Sequence, residues 1–183
     1  MTCIVAIADG KGKVFMGADT YGSGPGSGTY VGNPKCFING DFLIGCTSTF
    51  RIIDLLAYKL SVPQVHPDHQ EDPDKYMRTV FIDSVKKCFK ESGHLRVDSG
   101  VEYGGNFLVG YRGKVYEIQS DFSVLNVPDY GGSVGSGESA ARGSLYTTKD
   151  SKMKASDKIR TALEAAVEVV PSVRGPFVFL ENS

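Results

Sequence analysis

The order of apolar patterns along the chain predicts an α+β protein built as a four-layer αββα sandwich. Three observations carry this expectation. Strand-like runs come in groups: two hairpins at the start, a meander in the middle and one strand at the end. Pairs of helical stripes separate these groups, so helices can cover two opposite faces of a packed pair of sheets. The opening strand is apolar without alternation, as strands covered on both faces are. At 183 residues the chain is expected to form one domain, 1–183, with a full-sized core.

Thr2 to Ala8 is the first apolar run, rich in Val and Ile. Asp9-Gly10-Lys11-Gly12 supplies the turn, because Gly accepts the positive φ of tight primed turns, and Lys13 to Asp19 returns as the second strand. The segment Gly22 to Gly28 lacks the Lys and the strand-to-helix context of a phosphate loop and reads as a flexible connector. Lys35 to Ile38, the turn Asn39-Gly40-Asp41 and Phe42 to Cys46 make a second hairpin. Helical spacing follows Ser48, with Ile52, Ile53, Leu55, Leu56 and Leu60 in one stripe that ends at Ser61-Val62-Pro63.

From Gln64 to Asp74 the chain reads as a polar linker. Its His66, Asp68, His69 and Glu71 are metal-ligand types, but the prolines break the helix that would set both rings on one face, so a solvated connection is expected. A second helix is expected from about Pro73 to Ser92, stopped by Gly93. The meander is Gly105 to Tyr111, Lys114 to Ile118 and Ser123 to Val127. Gly131 to Gly137 is too rich in Gly and Ser to pack by side chains; it reads as a turn bringing backbone close to something, ahead of a small-residue helix from Glu138 to Leu145. A last helix spans Lys154 to about Val170, and Pro176 to Leu180 is the closing strand.

Lys and Arg number 20 against 21 Asp and Glu, a formal charge of −1, so no global field draws nucleic acid or an anionic membrane. No signal segment opens the chain and no apolar run approaches the about 20 residues of a membrane helix, which leads to the expectation of a cytoplasmic protein. Cys3, Cys36, Cys46 and Cys88 form no C-x-x-C pair and are expected to be reduced packing thiols; neither a metal site nor a cofactor is expected. Thr2 stands out. If Met1 is removed, the chain begins with a hydroxyl and an α-amine on one residue, and that amine titrates near about 7.7–8.0, so a nucleophile carries its own base. The plain alternative is a β-branched residue opening a strand.

Thr2-x-Ile4-Val5, then Gly17-Ala18-Asp19, Lys35-x-Phe37, Leu43-x-Gly45 before a helix, and Gly135-Ser136-Gly137 before the next helix follow one another in a familiar order. In this the chain resembles the threonine-peptidase branch of the N-terminal-nucleophile (Ntn) hydrolases, the proteasome β subunits and the peptidase of bacterial HslUV, over nearly its whole length. Thr2 lying directly after Met1 is more like the bacterial peptidase. The resemblance implies the αββα Ntn-hydrolase fold and a threonine-type endopeptidase acting on peptides or unfolded proteins. It also implies a self-assembled homo-oligomeric ring, with an ATPase unfoldase as a candidate partner.

By the same resemblance Thr2 is the nucleophile, its freed amine the base, and Lys35 the active-site cation that favours the neutral amine and the developing alkoxide. Asp19 pairs with Lys35, Ser136 orients the amine's proton, and the backbone N–H of Thr49 stands where the family's oxyanion glycine stands. Asp19 and Lys35 are sixteen residues apart as in the family, while the Thr2 to Asp19 interval is one longer. A side chain at Thr49 narrows the site. Pro171-Ser172-Val173-Arg174-Gly175 lacks the Asp and Ser that proteasome subunits carry there. Two alternatives stay open: an Ntn amidase on a small amide, and a catalytically silent scaffold if Met1 is retained.

Overall fold

In the computed structural model the described residues are 2–24, 27–63 and 72–182. The first hairpin is β1 (Cys3–Ala8) and β2 (Val14–Asp19), followed by β3 (Tyr21–Gly24) and β4 (Ser27–Tyr30), then β5 (Cys36–Asn39) and β6 (Phe42–Cys46). Helix α1 (Phe50–Asp54) continues as a π-helical stretch, Leu55–Lys59. Helix α2 (Pro73–Tyr76) likewise passes through π-helical Met77–Phe81 into α3 (Ile82–Glu91). Next come β7 (Arg96–Asp98), β8 (Val101–Tyr103), β9 (Phe107–Tyr111), β10 (Lys114–Ile118), β11 (Val124–Asn126) and β12 (Gly132–Gly135). Helices α4 (Glu138–Thr148) and α5 (Ala155–Val169) precede β13 (Phe177–Asn182).

The strands form a four-stranded sheet ordered β12-β1-β2-β13 and a five-stranded sheet ordered β11-β10-β9-β6-β5, which lie between the two groups of helices. Alternation along β1 divides the layers. Cys3, Val5 and Ile7 point to Leu145 of α4 and to Ile159 and Leu163 of α5. Ile4 and Ala6 point the other way, with Met16, onto Leu43 and Leu108 of the second sheet. That sheet's far face, Ile44, Cys46 and Val109, packs on Ile52, Phe81 and Val85 of the first helical group. The expected αββα sandwich is therefore the observed one. Close approach of the sheets requires Gly45, where a Cβ would lie 2.5 Å from Ile4 Cγ2 and 2.6 Å from Met16 Sδ.

Helix α2 starts where expected, since Pro73 takes the first helical position and the Asp72 carboxylate accepts from the Lys75 N–H at 2.9 Å. Three segments differ from the sequence reading. Where a connector was expected, Tyr21–Gly24 and Ser27–Tyr30 pair as a two-stranded ribbon: the Tyr21 ring lies over the bare face of Gly28 and meets Tyr30 edge-on across the strands at 5.4 Å. The ribbon β7–β8 was not anticipated, because its residues are polar and largely exposed and no apolar period marks them. Gly132–Gly135, expected as a turn, is the edge strand β12 on β1.

Candidate active site

Strand register builds the site. Pairing Ile4 with Ala18 puts Asp19, at the end of β2, beside Cys3, and the Asp19 carboxylate accepts the Cys3 N–H at 2.9 Å. Pairing Cys3 with Gly135 puts Ser136 beside Thr2. The Thr2 nitrogen donates to Ser136 Oγ at 3.3 Å, and Ser136 Oγ donates to the Thr2 carbonyl at 3.2 Å. Gly135 sits at φ +103°, and a Cβ there would run into the Thr2 carbonyl oxygen. Backbone is thus brought close to Thr2, and only glycine allows it.

Lys35, just ahead of β5, reaches into this corner. Its Nζ donates to both Asp19 oxygens at 2.9 Å and to the Tyr21 carbonyl at 2.7 Å. Lys35 is 1% exposed and Asp19 0%, so this is a buried ion pair with its hydrogen bonds largely met. Burial holds the Lys35 ammonium below the ordinary lysine range, while the Asp19 charge and hydrogen bond oppose that shift. The Tyr21 N–H adds a bond to Asp19 at 3.3 Å, and the Arg174 guanidinium lies 5.0 Å from the Tyr21 ring. The 171–175 segment therefore supplies a cation over the Tyr21 ring.

A cleft of about 300 Å³ opens onto this corner, with Thr2, Lys35, Ser23, Thr49, Phe50 and Ile53 in its walls. A groove of about 320 Å³ beside Lys59 and Lys87 is as large, so volume does not single out the cleft; its chemistry does. Thr49 borders the cleft, but its N–H is committed to the Thr47 carbonyl at 3.0 Å across Ser48, which adopts φ +73°. Thr47 is held in turn by Asn106, whose carbonyl accepts from Thr47 N–H at 3.1 Å and from Thr47 Oγ1 at 2.8 Å.

Thr2, Asp19, Lys35 and Ser136 thus share one corner, and Thr49 stands across the cleft with its amide turned into its own loop. Sequence reasoning did not find Ser23, Phe50, Ile53 or Asn106. Ser23 was hidden in the supposed connector, and Phe50 and Ile53 looked like ordinary members of a helical stripe. Among the described residues no group of His, Cys, Asp and Glu could hold a metal ion; His66, Asp68, His69 and Glu71 lie outside them, as does Met1. The four cysteines are unpaired, buried thiols. No helix among the described residues is long and apolar enough to cross a membrane.

By sequence, no protein-family model matches the chain and no curated protein matches it significantly. Solved structures do match. BPH from Thiobacillus denitrificans, in complex with epoxomicin, superposes with a TM-score of 0.81 at 20% identity, covering 99% of this chain and 97% of that one. The eukaryotic HslV of Trypanosoma brucei gives 0.70 at 19% identity over 98% of each chain. The fold is that of the proteasome-like Ntn hydrolases. Anbu, an ancestral β-subunit from Yersinia bercovieri, is more distant, with a TM-score of 0.66 at 9% identity over 100% of this chain and 81% of its own. At such identities the proteasome-like likeness is one of fold, and the chemistry must be argued from the corner around Thr2.

Proposed function

We propose that the protein is a threonine peptidase whose nucleophile is Thr2, exposed by removal of Met1. The observation that carries this reading is the placement of Thr2 and the buried Lys35–Asp19 pair on one cleft, with Ser136 Oγ 3.3 Å from the Thr2 nitrogen. In the reaction Thr2 Oγ attacks a peptide carbonyl and its proton passes to the α-amine, held by Ser136. The tetrahedral intermediate collapses, the C–N bond breaks, and the same proton goes to the leaving amine. Water then hydrolyses the ester with the amine as base again. Lys35 keeps the amine neutral by like-charge repulsion and stabilises the alkoxide; Asp19 keeps Lys35 charged against its burial. Enclosure of such a site in a homo-oligomeric ring protects other proteins, and an ATPase unfoldase would feed it.

The reading is tested by intact mass and by epoxomicin, the compound bound to the T. denitrificans protein. Wild-type protein should lack Met1 and gain the mass of one epoxomicin per chain, and Thr2→Ala protein should gain none. Equal labelling of both proteins would remove Thr2 from the mechanism. The closed Thr47–Thr49 turn favours a second reading, the catalytically silent scaffold, because it withholds the oxyanion donor. Retention of Met1 together with no adduct would select it. A sedimentation mass near one 19.7 kDa chain at micromolar concentration would count against the ring.

A further inference from the structure

We propose that Arg174 is a positioning residue for the corner around Thr2: its guanidinium, lying over the Tyr21 ring, holds the Tyr21 carbonyl where it accepts from Lys35. Its part in turnover rests on the peptidase reading above. Tyr21 meets the buried pair through its backbone, with its carbonyl 2.7 Å from Lys35 Nζ and its N–H donating to Asp19 at 3.3 Å. The carbonyl contact is shorter than either bond from Lys35 to Asp19, at 2.9 Å. Yet Tyr21 opens β3, which pairs with β4 in a two-stranded ribbon apart from the two main sheets. Such a ribbon is marginal by itself, so the acceptor that Lys35 uses needs an anchor from elsewhere.

The anchor is the segment between α5 and β13, which is itself well held. Val173 is buried in the cluster that α5 shares with β1, and its N–H donates to the Val170 carbonyl at 2.9 Å. The Thr20 hydroxyl donates to the Pro176 carbonyl at 2.8 Å, and Phe177 pairs with Asp19 across β13 and β2. Within that frame Arg174 Nε donates to the Pro171 carbonyl at 3.0 Å, and the guanidinium carbon lies 5.0 Å from the centre of the Tyr21 ring. The same ring covers Gly28 and meets Tyr30 edge-on, so cation and ribbon hold it together. Lys149 lies nearer to the Tyr146 ring, at 4.2 Å, so distance does not single out the Arg174 contact. What does is that the backbone of Tyr21 carries bonds to both Lys35 and Asp19. With that carbonyl displaced, a buried ammonium loses a neutral acceptor and a constraint on where it points.

The experiment is a double-mutant cycle on Arg174→Ala and Tyr21→Leu with separate kinetic and spectroscopic readouts. The first is kcat and KM for the tripeptide aminocoumarin amide that wild-type protein cleaves fastest; the second is the NMR signal of the Lys35 ε-methylene, which needs no turnover. Arg174→Ala should lower kcat by about tenfold with KM within about twofold, and should move the Lys35 signal. In the Tyr21→Leu background it should change neither any further. Arg174→Lys keeps a cation for the ring but loses the Nε bond to Pro171, and its kcat should stay within about threefold of wild type. If Tyr21→Leu misfolds by circular dichroism, Arg174→Ala and Arg174→Lys are read alone, since Arg174 is exposed. Movement of the Lys35 signal with no hydrolysis by any of the proteins would retain the link from Arg174 to Lys35 and remove the peptidase reading. The proposal would be overturned by an unmoved Lys35 signal, or by unchanged kcat in a protein that does cleave the peptide. An equal loss from Arg174→Ala in the Tyr21→Leu background, or Arg174→Lys as impaired as Arg174→Ala, would overturn it too.

Discussion

Two carboxylates in this protein are wired almost alike and differ in everything that follows. Asp19 accepts from Lys35, from Cys3 N–H and from Tyr21 N–H. Asp74 accepts from Tyr116 Oη at 2.7 Å, Lys114 Nζ at 3.0 Å and Asn126 Nδ2 at 3.2 Å. Each gathers a lysine and two neutral donors. Asp19 and Lys35 are 0% and 1% exposed beside Thr2, while Asp74 and Lys114 are 31% and 48% exposed where α2 meets β10 and the edge strand β11. Low dielectric and a place beside Thr2, rather than the number of bonds, set the first apart for the chemistry proposed above; the second fastens a helix to a sheet.

The largest expected effect comes from breaking the buried pair. Lys35→Ala leaves Asp19 without its counter-ion, which costs on the order of 3–5 kcal/mol in thermal or urea unfolding. It also lowers peptide turnover by several orders of magnitude, the scale of acid–base and electrostatic groups. A folded Lys35→Ala protein with wild-type turnover would reduce the Asp19 hub to the fastening role of Asp74. Burial lowers Lys35 while Asp19 opposes it, so the unfolded chain holds this proton more firmly than the native one. Lys35 therefore favours the native state above the ordinary lysine pKa, and that contribution is lost as pH falls through its folded value.

Next in size is Ser136→Ala. It removes the oxygen that meets the Thr2 nitrogen and carbonyl, and turnover should fall by roughly 10² while stability changes little. Its pH–rate profile should also move, since the α-amine loses the group that orients its proton. A drop in rate with an unmoved profile would make Ser136 a packing residue of the β12 corner.

The Asp19 corner was legible in the sequence through the family resemblance, which joined Thr2, Asp19 and Lys35; in the structure the β1–β2 register sets Asp19 beside Cys3, and Lys35 reaches across from just ahead of β5 in the other sheet. The sandwich was legible from the order of strand groups and helix pairs: a first strand apolar without alternation says that both its faces are covered, and stripes along α3 and α5 supply the covering faces. The ribbons were not. Tyr21 and Tyr30 hold β3 to β4 by a ring contact over Gly28, which no local period announces. The opposite wall of the cleft was legible only in part, since Thr49 is placed by counting, whereas the direction of its N–H depends on Ser48 at φ +73° and on Asn106, far away in sequence.

The smallest expected effect tests the other hub. Partial burial alone would raise the Asp74 carboxyl, but hydrogen bonds from Tyr116, Lys114 and Asn126, with the Lys114 charge, win and hold it at about 2. An NMR titration should find it there. Because the folded value lies below the unfolded carboxylate value of about 3.9, the stabilisation is fully present above that pH. It is lost as pH falls from there toward 2. Asp74→Asn should therefore cost about 1 kcal/mol near neutrality, in keeping with half-solvated hydrogen bonds and an exposed ion pair. The gap between variant and wild type should close in acid. Peptide turnover should stay as it is, because Asp74 touches neither Thr2 nor the cleft. Loss of turnover with only this small loss of stability would mean that the edge where α2 meets the sheet communicates with the site, and the separation drawn between the two hubs would have to be given up.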